Sequence, residues 1–314
     1  MRFSQLVGAR TSEVVTADDP VPHDDQVLVE VLACGVCTSD IGPWLTHDPA
    51  GPPVRLGHEM VGRVVATGGD ATRWRPGDVV TGLGGDGLAT HAVMDAQAIL
   101  PVPPGIDPAL AIGEPVADLE EALSRTGIAP GARVAVVGLG FMGLGLVQLA
   151  RRHAPGLLIG VDPDPARRRR ALALGADLAF APDELPEEYR TGSSRATDAR
   201  PDIVLEATGV TGGLKTAGSM VRPFGTLCVV GYHHTGDAMM DMDLWYKAVT
   251  VVNGFCPDRT RLIAAMRETL DLIAERRFSY APLVTHRFGL DDVDEAFRLM
   301  EEAGPDFVKG VVVF

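Results

Sequence analysis

Basic, aromatic and thiol-bearing side chains are all scarce in this 314-residue sequence. Lysine and arginine number 28 against 42 aspartates and glutamates, a net charge of −14. Such a surface repels phosphate backbones and anionic lipid, so nucleic acid and membrane surfaces are not expected partners. The one basic run, Arg167 to Arg170, lies in the helical pattern "DPARRRRALALGA" and is expected to splay over several faces. Only four cysteines are present, Cys34, Cys37, Cys228 and Cys256, too few for a disulfide framework. A reducing, cytoplasmic setting is therefore expected. No apolar run approaches the roughly 18 to 20 residues of a membrane span, and the first residues lack a signal-peptide core. A small-molecule partner is the remaining expectation.

Up to about Pro104 the sequence is strand-like. "QVLVEVLA", "MVGRVVATG", "GDVVTG" and "THAVM" are short, rich in valine and separated by Gly, Pro and Asp. From "PPGIDPALAIGEPVADLEEAL" onward, apolar strands alternate with helices: "ARVAVVGLG", "FMGLGLVQLARRHA", "LLIGVD", "PDIVLEATG" and "GTLCVVG". That alternation predicts an α/β fold, a parallel sheet with helices on both faces.

"VAVVGLGFMG" spaces Gly138, Gly140 and Gly143 as G-x-G-x-x-G between a strand and a helix, with Phe141 and Met142 inside the fingerprint. The glycines permit a tight turn and bring backbone N–H groups up to a pyrophosphate at a helix N-terminus. Asp162 ends the next strand nineteen residues beyond Gly143, where a carboxylate accepts from an adenosine ribose. It repels a 2′-phosphate, which favours NAD over NADP. Arg167, one helical turn further on, is expected to face the same ribose, and its guanidinium also suits a 2′-phosphate, which leaves NADP open.

"CGVCTSD" carries the pair Cys34 and Cys37 directly after an alternating strand. A thioredoxin-type pair would open a helix in a βαβ unit, and a structural zinc cage would need a second cysteine pair. The sequence instead supplies His58 and Glu59 in "LGHEMVG" and Glu114 in "AIGEPVA". One thiolate, one imidazole and one or two carboxylates suit a zinc site with an exchangeable position.

"CGVCTSD", "GHE", "RWRPGDVV", "EPVA", "VVGLGFMG" and "EATG" follow one another in an order that resembles the zinc-dependent medium-chain dehydrogenase/reductase superfamily, the alcohol, sorbitol and threonine dehydrogenases. The resemblance runs to the terminal "KGVVVF". It implies a GroES-like β-rich catalytic domain over 1–116 and 255–314 and a Rossmann, doubly wound domain over 117–254. It assigns Cys37, His58, Glu59 and Glu114 to one catalytic zinc and leaves Cys34 to packing. Asp40 would orient His58 from behind the metal. Ser39 would relay the alcohol proton, and Thr38 and Lys309 would meet the cofactor pyrophosphate. Thr208, Gly231 and Tyr232 are assigned to the cofactor, and Trp44, His47, Glu121 and His233 to the substrate pocket, with His234 beside them. The "EPVA" motif resembles the polyol and threonine branch. The implied activity is hydride transfer between a secondary alcohol (a polyol, cyclitol or amino alcohol) and NAD, in a homodimer or homotetramer.

Two departures stand out. The family commonly carries a four-cysteine lobe after "GDVV"; here "GDVVTGLGGDGLATHAVM" contains no cysteine, so no structural zinc is expected. Gly42 stands where relatives often have a relay histidine. A zinc-free quinone or enoyl reductase, and a cofactor-binding sensor without catalysis, are the alternatives on the same fold.

Overall fold

The structure, a computed structural model, describes residues 1–190, 199–233, 241–304 and 306–314. The chain divides into two compact units, Met1–Ala117 with Asp258–Phe314, and Asp118–Pro257.

The first unit begins with β1 (Arg2–Gly8), β2 (Thr11–Thr16), β3 (Gln26–Gly35), α1 (Thr38–Thr46), β4 (Val54–Arg55), β5 (Glu59–Thr67), β6 (Val79–Gly82), β7 (His91–Asp95) and β8 (Ile99–Pro101). Helix α2 (Gly113–Ser124) carries the chain into the second unit. There follow β9 (Arg133–Val137), α3 (Phe141–Arg151), β10 (Leu157–Val161), α4 (Pro165–Ala173), β11 (Leu178–Phe180), β12 (Ile203–Glu206), α5 (Thr211–Met220), β13 (Thr226–Val229), α6 (Met242–Tyr246) and β14 (Thr250–Asn253). The chain returns to the first unit with α7 (Arg259–Ala274), β15 (Val284–Phe288), α8 (Val293–Glu302) and β16 (Lys309–Val313).

In the first unit β1, β2 and β4 form a small antiparallel sheet. The larger sheet runs β15-β16-β3-β5-β6-β8. Strand β3 is its axis: β5 covers one edge, while β7 takes the first half of the other and β16 the last three residues. Because both edges and both faces of β3 are occupied, nearly all of it is buried, including Val27, Leu28, Val29 and Val31, rather than one alternating face alone. Trp44, Met60, Trp74 and Phe297 join those valines in the core.

The second unit holds six parallel strands in the order β11-β10-β9-β12-β13-β14. The order reverses between β9 and β12, the switch point at which doubly wound sheets bind ligands beyond their carboxyl ends. Asp164 caps α4 through Ala166 N at 2.7 Å, with Pro165 in the first turn, so the sequence itself punctuates the strand-to-helix change. Among the described residues no helix is long and apolar enough to cross a membrane.

Candidate functional site

Sheet register assembles the metal-type donors. The antiparallel pairing of β3 with β5 sets Gly35 opposite Glu59, and β16 pairs Val311 with Gly35 on the other side. The end of β3, the start of β5 and the start of β16 therefore meet. Two residues past β3, Cys37 is the N-cap of α1. Gly35 is required by its partner: a Cβ there would lie 1.9 Å from Glu59 Oε2.

Cys37, His58 and Glu59 each offer a ligand atom, and these atoms lie within 4.8 Å of one another. His58 Nδ1 is 3.4 Å from Asp40 Oδ1, and Asp40 is buried with its Oδ2 unpaired. Ser39 Oγ sits 3.3 Å from Cys37 Sγ and 3.5 Å from His58 Nε2. Burial opposes charge on the His58 ring, but Asp40 and the Cys37 sulfur outweigh it and push the imidazole up to about 11. The position thus favours positive charge, from a proton or a metal cation. Thiolate, imidazole and carboxylate in this spacing fit a zinc ion with a position left over for substrate.

Glu59 is buried, and Lys309 Nζ donates to its Oε1 at 2.7 Å. Its Oε2 is 2.5 Å from the same ammonium but out of line for a hydrogen bond, and has no hydrogen-bond partner. Burial disfavours the Lys309 charge; Glu59, Cys37 and Glu114 more than compensate and raise it above the usual lysine range. From sequence Lys309 is expected at the cofactor phosphates; in the structure its ammonium is buried against Glu59. Glu114, in the first turn of α2, lies outside the group of three, although its charge reaches Lys309 and Tyr280. Tyr280, which no sequence pattern marks, is buried and donates its hydroxyl to Ile112 O. Burial, Glu59 and Glu114 hold that phenol well above its ordinary value. Cys34 is buried outside the donor group, and desolvation, with Glu59 and Asp40 nearby, raises its thiol strongly.

In the second unit, Gly138 turns the chain after β9 with φ +92°, and Gly140 is the N-cap of α3. Gly143 packs against this turn so closely that a Cβ would lie 1.7 Å from Gly138 O. Phe141 and Met142 begin α3 and are half-buried. Asp162 braces the fingerprint. Its Oδ2 accepts from Leu139 N at 2.8 Å and its Oδ1 from Asp164 N at 2.8 Å. Arg167 lies 3.9 Å from both Asp162 Oδ2 and Asp164 Oδ2. Thr208 and Gly231 stand beside this loop system at the ends of β12 and β13, and Tyr232 is exposed. Thr38 is exposed at the start of α1.

The expected pocket residues are placed differently. Trp44 is a core residue: its Nε1 donates to Asp294 Oδ1 at 2.9 Å and its ring packs on Phe297. Glu121 is buried in an ion pair with Arg125, which also donates to Gly254 O and Phe255 O. Glu121 meets Arg125 by i,i+4 spacing, whereas Trp44 meets partners 250 residues away that sequence proximity does not reveal. His233 lies on Glu206. His47 ends α1, half-buried, and His234 is outside the described residues. Gly42 is exposed on α1, and a side chain there would meet open space.

Known families match both parts of the chain. Residues 23–104 match the alcohol dehydrogenase GroES-like domain, and residues 141–275 match the zinc-binding dehydrogenase family. A probable zinc-binding alcohol dehydrogenase of Mycobacterium tuberculosis is 32% identical, covering 74% of this chain and 68% of its own. A sorbitol dehydrogenase of Halalkalibacterium halodurans is 28% identical over 90% of each chain. In fold the protein is similar to a zinc-binding dehydrogenase of Sinorhizobium meliloti 1021 solved with NADP, with TM-score 0.85, 24% identity, and 100% and 99% of the two chains covered. With a thiolate–imidazole–carboxylate cluster in one unit and a glycine fingerprint on a parallel sheet in the other, the chain belongs to the zinc-type medium-chain dehydrogenase/reductase superfamily and is an alcohol dehydrogenase.

Proposed function

We propose that the protein oxidises a secondary alcohol of the polyol, cyclitol or amino-alcohol class with NAD, and reduces the matching ketone in reverse. The observation that carries this is the meeting of Cys37, His58 and Glu59 within 4.8 Å, with Asp40 behind His58. A zinc ion bound there supplies Lewis acidity that lowers the pKa of the alcohol hydroxyl. Asp40, 3.4 Å from His58 Nδ1, fixes the ring and leaves Nε2 as the atom that would hold the metal. Ser39, exposed and within 3.5 Å of His58 Nε2, is placed to take the hydroxyl proton toward solvent. Lys309 neutralises Glu59 and keeps its carboxylate from repelling a second anion. A nicotinamide cofactor held by the second unit would supply the hydride acceptor for the carbinol carbon, with the hydroxyl proton leaving by Ser39 and a ketone as product.

The "EPVA" motif and the likeness to a sorbitol dehydrogenase support the substrate class. Asp162 supports NAD over NADP, because its carboxylate opposes a 2′-phosphate. The edge strand β14, with exposed Val251 and the exposed Met242, Trp245 and Tyr246 of α6, supports pairing of two copies through this sheet.

The test is metal content per chain, measured side by side with turnover on a panel of polyols and amino alcohols with NAD and NADP. Near one zinc per chain, lost in Cys37→Ala together with turnover, is expected. Turnover that persists in zinc-free protein would favour a zinc-independent reductase; zinc without turnover on any alcohol or ketone would favour a sensor.

A further inference from the structure

Two chain segments of the second unit bond one buried carboxylate, the first residue of "EATG", and a third packs on the threonine it holds. Glu206 is the last residue of β12 and is fully buried. Its Oε1 accepts from Thr208 N at 2.6 Å, from Gly209 N at 3.2 Å and from the Thr208 hydroxyl. Its Oε2 faces His233 Nε2 at 3.2 Å. Its backbone carbonyl accepts from Val230 N at 2.8 Å and Gly231 N at 2.9 Å. The same residue therefore holds Thr208 and Gly209 after β12 by its side chain, and Val230–His233 after β13 by both side chain and backbone.

The third segment is the glycine fingerprint. A Cβ on Gly138 would lie 2.7 Å from Thr208 Cγ2, so the Thr208 side chain that Glu206 fixes is packed directly on the fingerprint turn. Gly231 permits the closest approach: a Cβ there would be 2.3 Å from Gly209 N and 2.9 Å from Glu206 Oε2. A buried carboxylate is costly unless its oxygens are satisfied, and here the donors come from both loops. Neither Thr208–Gly209 nor Val230–His233 can shift without stripping a bond from Glu206.

The sheet tells which part of the cofactor these loops would meet. Asp162, at the end of β10, marks the adenosine side, and the N-terminus of α3 marks the pyrophosphate. A dinucleotide crossing the switch point then runs its other half over the ends of β12 and β13. We propose that Glu206 is a positioning residue for the nicotinamide half of the cofactor, with His233 as the latch that ties the loop after β13 to it. This rests on the reading of the second unit as a nicotinamide-cofactor site.

The experiment uses the full chain and four proteins: wild type, Glu206→Gln, His233→Leu and His233→Gln. Binding of NADH or NADPH, whichever the wild type holds more tightly, is measured by fluorescence. It is compared with the matching ADP-ribose, which keeps the adenosine and pyrophosphate but lacks nicotinamide. Glu206→Gln and His233→Leu are expected to weaken the reduced cofactor roughly tenfold while changing ADP-ribose by less than about twofold. His233→Gln, which keeps an N–H donor at similar reach, is expected to restore most of the loss. Equal losses for both ligands, or no loss for either, would overturn the proposal, the first by making Glu206 a general structural residue. Should Glu206→Gln not fold, the two His233 variants decide. If wild type binds neither ligand, the cofactor reading itself fails and this inference with it.

Discussion

Lys309 holds its ammonium against both carboxylate oxygens of Glu59, 2.7 and 2.5 Å away, and both side chains are buried. Removing one member of such a pair strands the other charge in a low-dielectric setting. Lys309→Met is therefore expected to destabilise the metal-free protein by ~3–5 kcal/mol, with Glu59→Gln in the same background recovering part of the loss. Denaturant unfolding of the two single variants and the double variant measures this. The sign with pH follows from the raised folded value of Lys309: its contribution is present below the ordinary lysine value of about 10.4 and is lost as pH rises through the folded one. The gap between wild type and Lys309→Met should close only in strong alkali. A gap of under about 1 kcal/mol at neutral pH would mean that the pair is solvated and weak.

Cys37 and Cys34 are three residues apart and are expected to behave oppositely. Cys37→Ala removes one of three donors and should abolish stoichiometric zinc while costing little stability in the metal-free chain. Cys34→Ala should keep zinc and lose about 1 kcal/mol, because Cys34 is a buried core side chain. Elemental analysis and thermal unfolding of both variants test this. Zinc lost from Cys34→Ala at full stability would give Cys34 a metal role.

Much of this was legible in the chain order of short motifs. Strand, G-x-G-x-x-G, helix and Asp162 follow one another within one βαβ unit, so local pattern located the fingerprint and its acid together. Cys37, His58 and Glu59 lie within about one hairpin's length of sequence, and the β3–β5 register brings them into one group. What was not legible depends on contacts distant in sequence. Lys309 reaches Glu59 across 250 residues, and Trp44 reaches Asp294 across the same span. No periodicity encodes either contact. The family resemblance that points Lys309 toward the cofactor phosphates says nothing of Glu59; that contact exists because β16 is an inner strand with β3 on one side and β15 on the other. Tyr280 escaped notice for the same reason: only the fold brings its hydroxyl to Ile112.

His58 links metal binding to protons. In the metal-free protein its imidazole is raised to about 11, so at neutral pH it carries a proton that zinc must displace. Raised folded pKa means that this contribution to stability is complete below about 6.5 and is lost as pH climbs toward about 11. Metal-free protein should therefore weaken, and zinc affinity rise by roughly tenfold or more per pH unit, between about pH 7 and about pH 9. Chelator competition at several pH values reads the affinity, and calorimetry in buffers of different ionisation enthalpy counts the released protons. Asp40→Asn should weaken zinc binding about 10- to 100-fold and flatten the pH dependence. Affinity that is flat with pH in wild type would rule out proton displacement at His58.

Asp162 holds the fingerprint turn and is proposed to meet the adenosine ribose, and a cofactor-preference experiment separates the two. A carboxylate at the end of β10 disfavours a 2′-phosphate, which predicts tighter binding of NAD than of NADP. The same two oxygens accept from Leu139 N and Asp164 N, so the residue also holds the fingerprint turn in place. An asparagine offers one acceptor oxygen where aspartate offers two, and one of those backbone N–H groups would be left without its partner, at a cost of about 1–3 kcal/mol. Asp162→Asn is accordingly expected to weaken NAD at least tenfold and to lower thermal stability, with little gain in NADP binding, even though Arg167 stands 3.9 Å away. Dissociation constants for both cofactors, measured alongside the unfolding midpoint, distinguish the duties. If NADP binding improves sharply while NAD binding and stability hold, Asp162 acts on the ribose alone, and the turn is held by its glycines without it.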